Sequence, residues 1–418
     1  MQRRGEPKSG LHRATVCVGL ICGLMTTAAN AAENLIGKKV TVIRWDAEFR
    51  ADNNKVIGTA DLGDTLEVYT VKGNRLFVRE RDGFILRADV VPYEMAIKHF
   101  TAAVKRKPTS TAYHDRGTVY HSQEKYDEAL ADFNESLRRD PKSPETLNAR
   151  GNVYSELDEP DKAIDDYTAA IKLDRKEPLY YSNRGLVWVT KGDDDKALSD
   201  FNDAIRLDPD NANALENRAD VWRRKNENDK AIEDYDRALK LDPSKILARM
   251  YRAYLLRAKG DNDKAIADYN EVLRREPKNT VAYQQRARSW MIKGVYVSAA
   301  SDFQQALDIE PDAEHALVSL ALLRAAAPDN GVRDGRQALD LLAKIPDEKR
   351  KFEYYLGTLA AAHAEAGEFE QAVELETRLV ERGPVAFKPE HEERLKLFQD
   401  KKPLRLPATG TGNTKFDR

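Results

Sequence analysis

The chain has 418 residues, and its 68 Lys+Arg against 70 Asp+Glu leave a formal charge of −2, with no basic excess for nucleic acid or an anionic membrane surface. With 8% aromatic and 41% hydrophobic residues and a mean hydropathy of −0.66, it is too rich in core formers for disorder and too polar for a multi-span membrane protein. What remains is a protein with a large charged surface, as an elongated molecule has.

At the amino terminus, Arg3, Arg4, Lys8 and Arg13 precede an apolar run, Val16 to Met25, that ends in Ala28-Ala29-Asn30-Ala31. A basic region, a short apolar region and an A-x-A site predict a secretory signal, residues 1–31, cleaved after Ala31 and leading to the periplasm or the exterior. The apolar run falls short of the about 20 residues that a stable span needs, so no membrane insertion is expected after cleavage. Cleavage takes four bases and one acid, Glu6, and leaves a net charge of −5. It also removes Cys17 and Cys22, the two cysteines of the chain, and with them any disulfide, thiol nucleophile or cysteine metal site.

Residues 32–95 are predicted to be all-β. Val40 to Trp45 alternates, Lys55 to Ala60 is short and β-prone, Thr65 to Val71 alternates again, and Lys72-Gly73-Asn74 turns into Leu76-Phe77-Val78. Gly83 to Leu86 and Asp89 to Val91 complete about five short strands. Of the aromatics available to a ligand groove, Trp45, Phe77, Phe84 and Tyr93, the two phenylalanines are expected in the core. Gly63-Asp64, the central hairpin and Gly83-Phe84-Ile85 resemble bacterial SH3-like domains, which implies a small barrel. With no linker before Tyr93, that barrel is expected to cap the helices that follow.

From residue 96 the chain repeats every 34 residues. Arg116, Arg150, Arg184, Arg218, Arg252 and Arg286 are each followed by a small residue: Gly117, Gly151, Gly185, Ala219, Ala253 and Ala287. Twelve positions after the small residue stands Ala129, Ala163, Ala197, Ala231, Ala265 or Ala299, and four later Phe133, Tyr167, Phe201, Tyr235, Tyr269 or Phe303. This predicts two antiparallel helices per unit, with small residues letting backbones approach and aromatics filling the space beside them. Asp158, Gly192, Asn226, Gly260 and Gly294 stand where the first helix ends, and Asp127, Asp161, Asp195, Asp229 and Asp263 where the second begins. Pro141, Pro209, Pro243, Pro277 and Pro311 close most units. No unit buries its apolar face alone, so the units must stack.

These columns resemble the tetratricopeptide repeat. The resemblance implies a mainly α fold, a right-handed solenoid of antiparallel helix pairs over 96–382: a half repeat at 96–109, six full repeats at 110–313 and divergent repeats at 314–382. A C-terminal helix and a disordered tail are expected over 383–418, where Leu406-Pro407-Ala408-Thr409-Gly410 matches a sorting signal by coincidence.

No metal-binding histidine pair, phosphate-binding glycine loop or nucleophile elbow occurs, and the aspartates Asp132 to Asp302 recur with the repeat, as structural residues do. Neither catalysis nor a cofactor or metal is expected. The repeating arginines are expected to pair with helix carboxylates at the seams between repeats, each exposed pair contributing at most about 1 kcal/mol. The resemblance places function on the concave face of the first helices, where a protein or peptide partner would bind. The candidates there are Asn148, Asn183 and Asn217 in an amide-rich half, and Tyr251, Tyr254, Arg257, Gln284 and Arg288 in an aromatic and basic half. Amides suit peptide backbone groups, and Tyr with Arg is enriched at interface hot spots. The resulting expectation is an exported, non-enzymatic interaction scaffold. The alternatives are cell-wall attachment through the SH3-like domain and an accessory envelope enzyme.

Overall fold

A computed structural model describes residues 38–408 except 44–46, 52–53, 73–74, 79–82 and 351. The signal segment with Cys17 and Cys22, Trp45, the Gly73-Asn74 turn and residues 409–418 lie outside the described residues. The chain divides into two compact units, Met1–Arg175 and Lys176–Arg418.

The first unit opens with seven strands: β1 (Lys39–Val42), β2 (Ala47–Arg50), β3 (Val56–Ala60), β4 (Thr65–Lys72), β5 (Arg75–Val78), β6 (Gly83–Leu86) and β7 (Val90–Pro92). They form an antiparallel sheet in the order β3-β2-β6-β5-β4-β1-β7. The two end strands, β3 and β7, do not pair with each other, so the sheet is not closed. Alternation buries Val40, Val42, Phe49, Val68, Leu76, Val78 and Ile85 on one side. β2 went unread in the sequence because Ala-Glu-Phe-Arg carries no β-branched residue, yet Ala47 and Phe49 are both buried. Phe77 corrects the expectation of a core residue. It is only half-buried and meets Phe84, its cross-strand partner, edge-on at 5.1 Å, with the exposed Tyr69 at 6.2 Å. The reason is parity: the core takes Leu76 and Val78, so Phe77 must point the other way.

The sheet sits directly on the helices of its unit: α1 (Ala96–Arg106), α2 (Ser110–Ser122), α3 (Tyr126–Arg139), α4 (Pro144–Glu156) and α5 (Pro160–Leu173). Leu62 packs with Ala96, Phe100 and Val119, and Gln123 donates to the Tyr93 carbonyl at 3.1 Å. A Cβ on Gly63, whose φ is +91°, would meet the Thr118 methyl at 3.2 Å, so the turn presses on α2.

The second unit contains thirteen further helices among the described residues. They are α6 (Pro178–Thr190), α7 (Asp194–Leu207), α8 (Ala212–Arg224), α9 (Asn228–Leu241), α10 (Ile246–Ala258), α11 (Asn262–Arg275), α12 (Thr280–Ile292) and α13 (Tyr296–Ile309), followed by α14 (Glu314–Ala326), α15 (Gly335–Ala343), α16 (Glu353–Glu365), α17 (Phe369–Arg382) and α18 (Lys388–Gln399). First helices are capped where a polar side chain precedes them: Thr109, Ser143, Asn211 and Asn279 each accept from a backbone N–H three residues on. Asp158, Gly192, Asn226, Gly260 and Gly294 all have positive φ, as their position between helices requires, and Glu124 joins them. The aspartates at the second helices lie inside the first turn rather than at the cap, so they act on the helix dipole. Asp195 also accepts from Lys225 of the next repeat at 2.9 Å.

Within each repeat the aromatic of the second helix is buried against the small residue of the first. A Cβ added to Gly117, Gly151 or Gly185 would stand 2.8 Å from a ring carbon of Phe133, Tyr167 or Phe201. Gly185→Ala therefore overpacks a fully buried ring. It is expected to lower stability by about 1–3 kcal/mol although alanine is the better helix former, and urea unfolding would read this directly. A stabilised variant would refute the overpacking account.

The arginine column links successive repeats. In the first unit Arg150 grips Asp166 through two bonds of 2.7 and 2.6 Å and donates to Asn134 of the preceding second helix at 2.6 Å. In the second unit Arg218 does the same with Asp234 and Asn202, Arg252 with Asp268 and Asp236, and Arg286 with Asp302 and Asn270. The gripped aspartates are buried and belong to the same repeat as their arginines, so the pairs are neither exposed nor at the seams as expected; only the third nitrogen crosses to the preceding repeat.

The end of the chain departs from the expected disordered tail. After α18, residues 402–407 run back over the last repeats, where Leu406 is buried and its N–H donates to the Ala326 carbonyl at the end of α14 at 2.8 Å. The Tyr296 hydroxyl donates to the Pro407 carbonyl at 2.8 Å, and Arg405 reaches Glu365 at 2.6 Å. Leu404 and Leu406 supply the apolar surface that a polar-looking tail hides among prolines and bases.

Candidate functional site

Three columns of the second unit, spaced three and four residues apart, share one face of the first helices. The first reads Leu179, Asn213, Leu247, Val281 and His315; the second Ser182, Glu216, Met250, Gln284 and Val318; the third Leu186, Asp220, Tyr254, Arg288 and Leu322. At α10 and α12 this face leaves apolar groups in water: Leu247 is 65% exposed, Val281 53% and Tyr254 48%. A large apolar side chain left open in consecutive repeats is unlike the scattered ones every surface carries.

The sequence-derived candidates divide. Tyr254 and Arg257 come together, with the Arg257 guanidinium 5.4 Å from the Tyr254 ring and donating to Gln285 on α12 at 3.2 Å. Burial pushes the nearby Tyr269 hydroxyl up to about 12 while the Arg257 charge draws it down. Tyr251 is half-buried, stacked at 6.4 Å on Tyr235 with Arg223 over its face at 4.2 Å, so it packs between repeats. Asn148, in the first unit, is buried in α4 and is not the surface contact expected of it. Asn183 and Asn217 are half-buried. The polar face of α8 is spent internally: Lys245 reaches Asn213 at 2.5 Å and Glu216 at 2.8 Å. Gln284 and Arg288 lie on the shared face, half-buried.

Arg288 opens onto a pocket of about 640 Å³ between α12, α14, α16 and α18, which sequence reasoning missed. Continuing the columns into the divergent repeats would have found His315, Val318 and Leu322 on its floor. The wall from α18 follows no repeat and left no periodic signal. Phe352 and Tyr354 stand at the pocket, 50% and 45% exposed, their rings stacked at 6.3 Å. The Tyr354 hydroxyl donates to Glu314, which also holds Lys349, so the ring is fixed in place.

The far wall is an ion network. His391 of α18 places Nδ1 2.7 Å from Glu376 of α17 and Nε2 2.8 Å from Glu353 of α16. Arg394 donates to Glu390 at 2.6 Å and lies 3.7 Å from Glu376, which is fully buried. The Glu376 carboxylate, and then Glu353, raise the His391 pKa against the cost of its burial. Glycine at 357 leaves room for this wall, since a Cβ there would meet Arg394 Nη1 at 3.1 Å. Among the described residues no group of three or more His, Cys, Asp or Glu is placed to hold a metal ion, and no helix is long and apolar enough to cross a membrane.

Sequence models of the tetratricopeptide repeat match residues 108–176 and, in overlapping windows, 148–212, 191–246, 217–280 and 252–314. No curated protein matches the chain. Among solved structures, a MamA protein is 27% identical, with 40% of this chain and 92% of that one covered and a TM-score of 0.37. YrrB, described as a TPR protein with an unusual peptide-binding site, is 22% identical over 45% of this chain and 96% of its own, with a TM-score of 0.42. Pseudomonas aeruginosa pilF is 20% identical over 51% and 96%, with a TM-score of 0.45.

Proposed function

We propose, from the premise that residues 108–314 are tetratricopeptide repeats, that this chain is a non-enzymatic scaffold holding a protein segment against its first-helix face. The observation that carries the reading is the row of exposed apolar side chains, Leu247, Tyr254 and Val281, beside the Tyr254–Arg257–Gln285 cluster. An aromatic ring with a guanidinium held against it offers a partner both area and a fixed donor, the pairing found at interface hot spots. The finer parts of the proposal are a right-handed superhelix over 96–382, whose concave side this face lines, and an SH3-like role for residues 32–95 as its cap. Export through residues 1–31 to the periplasm or exterior belongs to the same reading, on the charge and apolar pattern of that segment.

Crosslinking in the cell envelope, followed by mass spectrometry, identifies the partner. Its affinity is expected to fall about tenfold or more in Tyr254→Ala and in Arg257→Ala. Unchanged affinity in both variants would sink the proposal. A second reading, cell-wall contact through the sheet, draws on the exposed Tyr69 and half-buried Phe77, which lie over the buried Phe84. Pull-down on purified peptidoglycan that weakens in Tyr69→Ala would favour it, and no retention of the wild-type chain would dismiss it.

A further inference from the structure

The pocket between α12, α14, α16 and α18 has its charges distributed unevenly. On the α18 side every charge is engaged: Glu353 with His391, and Glu390 with Arg394. On the α12 side Arg288 is half-buried and makes no hydrogen bond or ion pair among the described residues. Two positions earlier on the same helix Arg286 is fully occupied by Asp302 and Asn270, so the contrast is local. His315, on the neighbouring α14, adds a second donor with no hydrogen-bond partner among the described residues. The rest of the lining is mainly apolar and aromatic, with Val318, Leu322, Phe352 and Tyr354 beside the hydroxyls of Ser319 and Thr358. A half-desolvated guanidinium without a counter-ion is costly alone and gains most from a carboxylate.

We propose that this pocket binds a peptide segment in which an acidic side chain stands two residues from a bulky apolar one. The carboxylate pairs with Arg288, and the apolar side chain enters the cavity against Phe352 and Tyr354. In an extended segment residues i and i+2 project to the same side, which matches a polar mouth next to an apolar interior. The aromatic pair is set before binding by the Tyr354–Glu314 bond, so little ordering cost falls on that wall. The proposal rests on the scaffold reading, and it adds a site, a ligand chemistry and a residue, Arg288, that the Tyr254–Arg257 cluster does not involve.

The test uses the full chain and a peptide, Gly-Ser-Glu-Ser-Phe-Ser-Gly, labelled with an uncharged BODIPY dye through an amide and amidated at its C-terminus, so that its only carboxylate is the glutamate side chain. Fluorescence anisotropy is expected to show saturable binding. Affinity should fall about ten- to a hundredfold when the peptide's Glu becomes Gln, and equally when Arg288→Gln is made in the protein. The two changes together should cost no more than either alone, because they delete the same bond. Replacing the peptide's Phe by Ala should cost a similar factor in wild type, and Arg288→Lys should restore part of the loss. No binding by the wild type, or binding indifferent to Arg288→Gln, overturns the proposal. If Tyr254→Ala and Arg257→Ala still release the crosslinked partner in that event, the scaffold reading survives without the pocket. If the Arg288 effect holds while those two variants retain the partner, the pocket stands and the groove reading falls.

Discussion

Asp234→Ala is expected to cost about 2–4 kcal/mol of stability. Asp234 is only 3% exposed and takes two bonds of 2.7 Å from Arg218, whose third nitrogen holds Asn202 of the preceding repeat at 2.7 Å. Removing the carboxylate leaves a guanidinium, less than a fifth exposed, facing an apolar seam with one neutral acceptor. The cost is somewhat below that of a fully buried pair because water still reaches the arginine. Urea unfolding followed by far-UV circular dichroism measures the loss. The double variant Arg218→Met with Asp234→Leu should recover more than half of it, since the penalty lies in the stranded charge. A loss below about 0.5 kcal/mol in Asp234→Ala would mean that the seam is held by apolar packing alone.

The second large effect concerns α18 and depends on pH. Both ring nitrogens of His391 face carboxylates, so both must carry protons to donate, and the ring must be an imidazolium for the network to be complete. Around it stand Glu353 from α16, Glu376 from α17, and Glu390 and Arg394 from its own helix. The folded pKa is raised above the ordinary 6.5, chiefly by Glu376. Stability from this group is therefore complete below pH 6.5 and is lost as pH rises through the folded pKa. Thermal melts of wild type and His391→Gln should differ most below that value and converge as pH rises. A difference that is constant, or that widens at high pH, would exclude the imidazolium. Glu376→Ala is expected to cost about 2–4 kcal/mol locally, because it takes the buried carboxylate from His391 Nδ1 and leaves His391 with Glu353 and Arg394 with Glu390 alone. The loss should appear first as exchange of the α18 amides, since that helix is held to α16 and α17 by these bonds.

These effects mark where reading the sequence stops short. The repeat needed no coordinates: Arg218, Ala219, Ala231 and Tyr235 fall at the same spacing in every unit because each faces the same neighbour, and an identical environment selects an identical residue. The arginine–aspartate pairing was legible for the same reason, but its burial was not, since periodicity records position and not depth. Asn148 and Tyr251 show the cost of that gap. Both stood at outward-looking steps of a helix, yet Asn148 is buried and Tyr251 packs against Tyr235 and Arg223 of the preceding repeat. In the sheet, a one-residue parity placed Phe77 outside the core although its composition argued otherwise.

By itself the sequence determined that the chain holds an array of paired helices and a β-rich segment before them, where most of the repeat helices break, and that the repeating arginines meet helix carboxylates. Short-range periodicity carries that information because stacking repeats the same local contacts. The tertiary structure alone decided which outward residues meet. It paired Arg257 with Gln285, left Arg288 without a carboxylate among the described residues, and drew Phe352, His391 and Arg394, from segments with no shared period, around one pocket. It also seated Leu406 on α14, since a contact between distant parts of a chain depends on where the path returns, and no local pattern records that return.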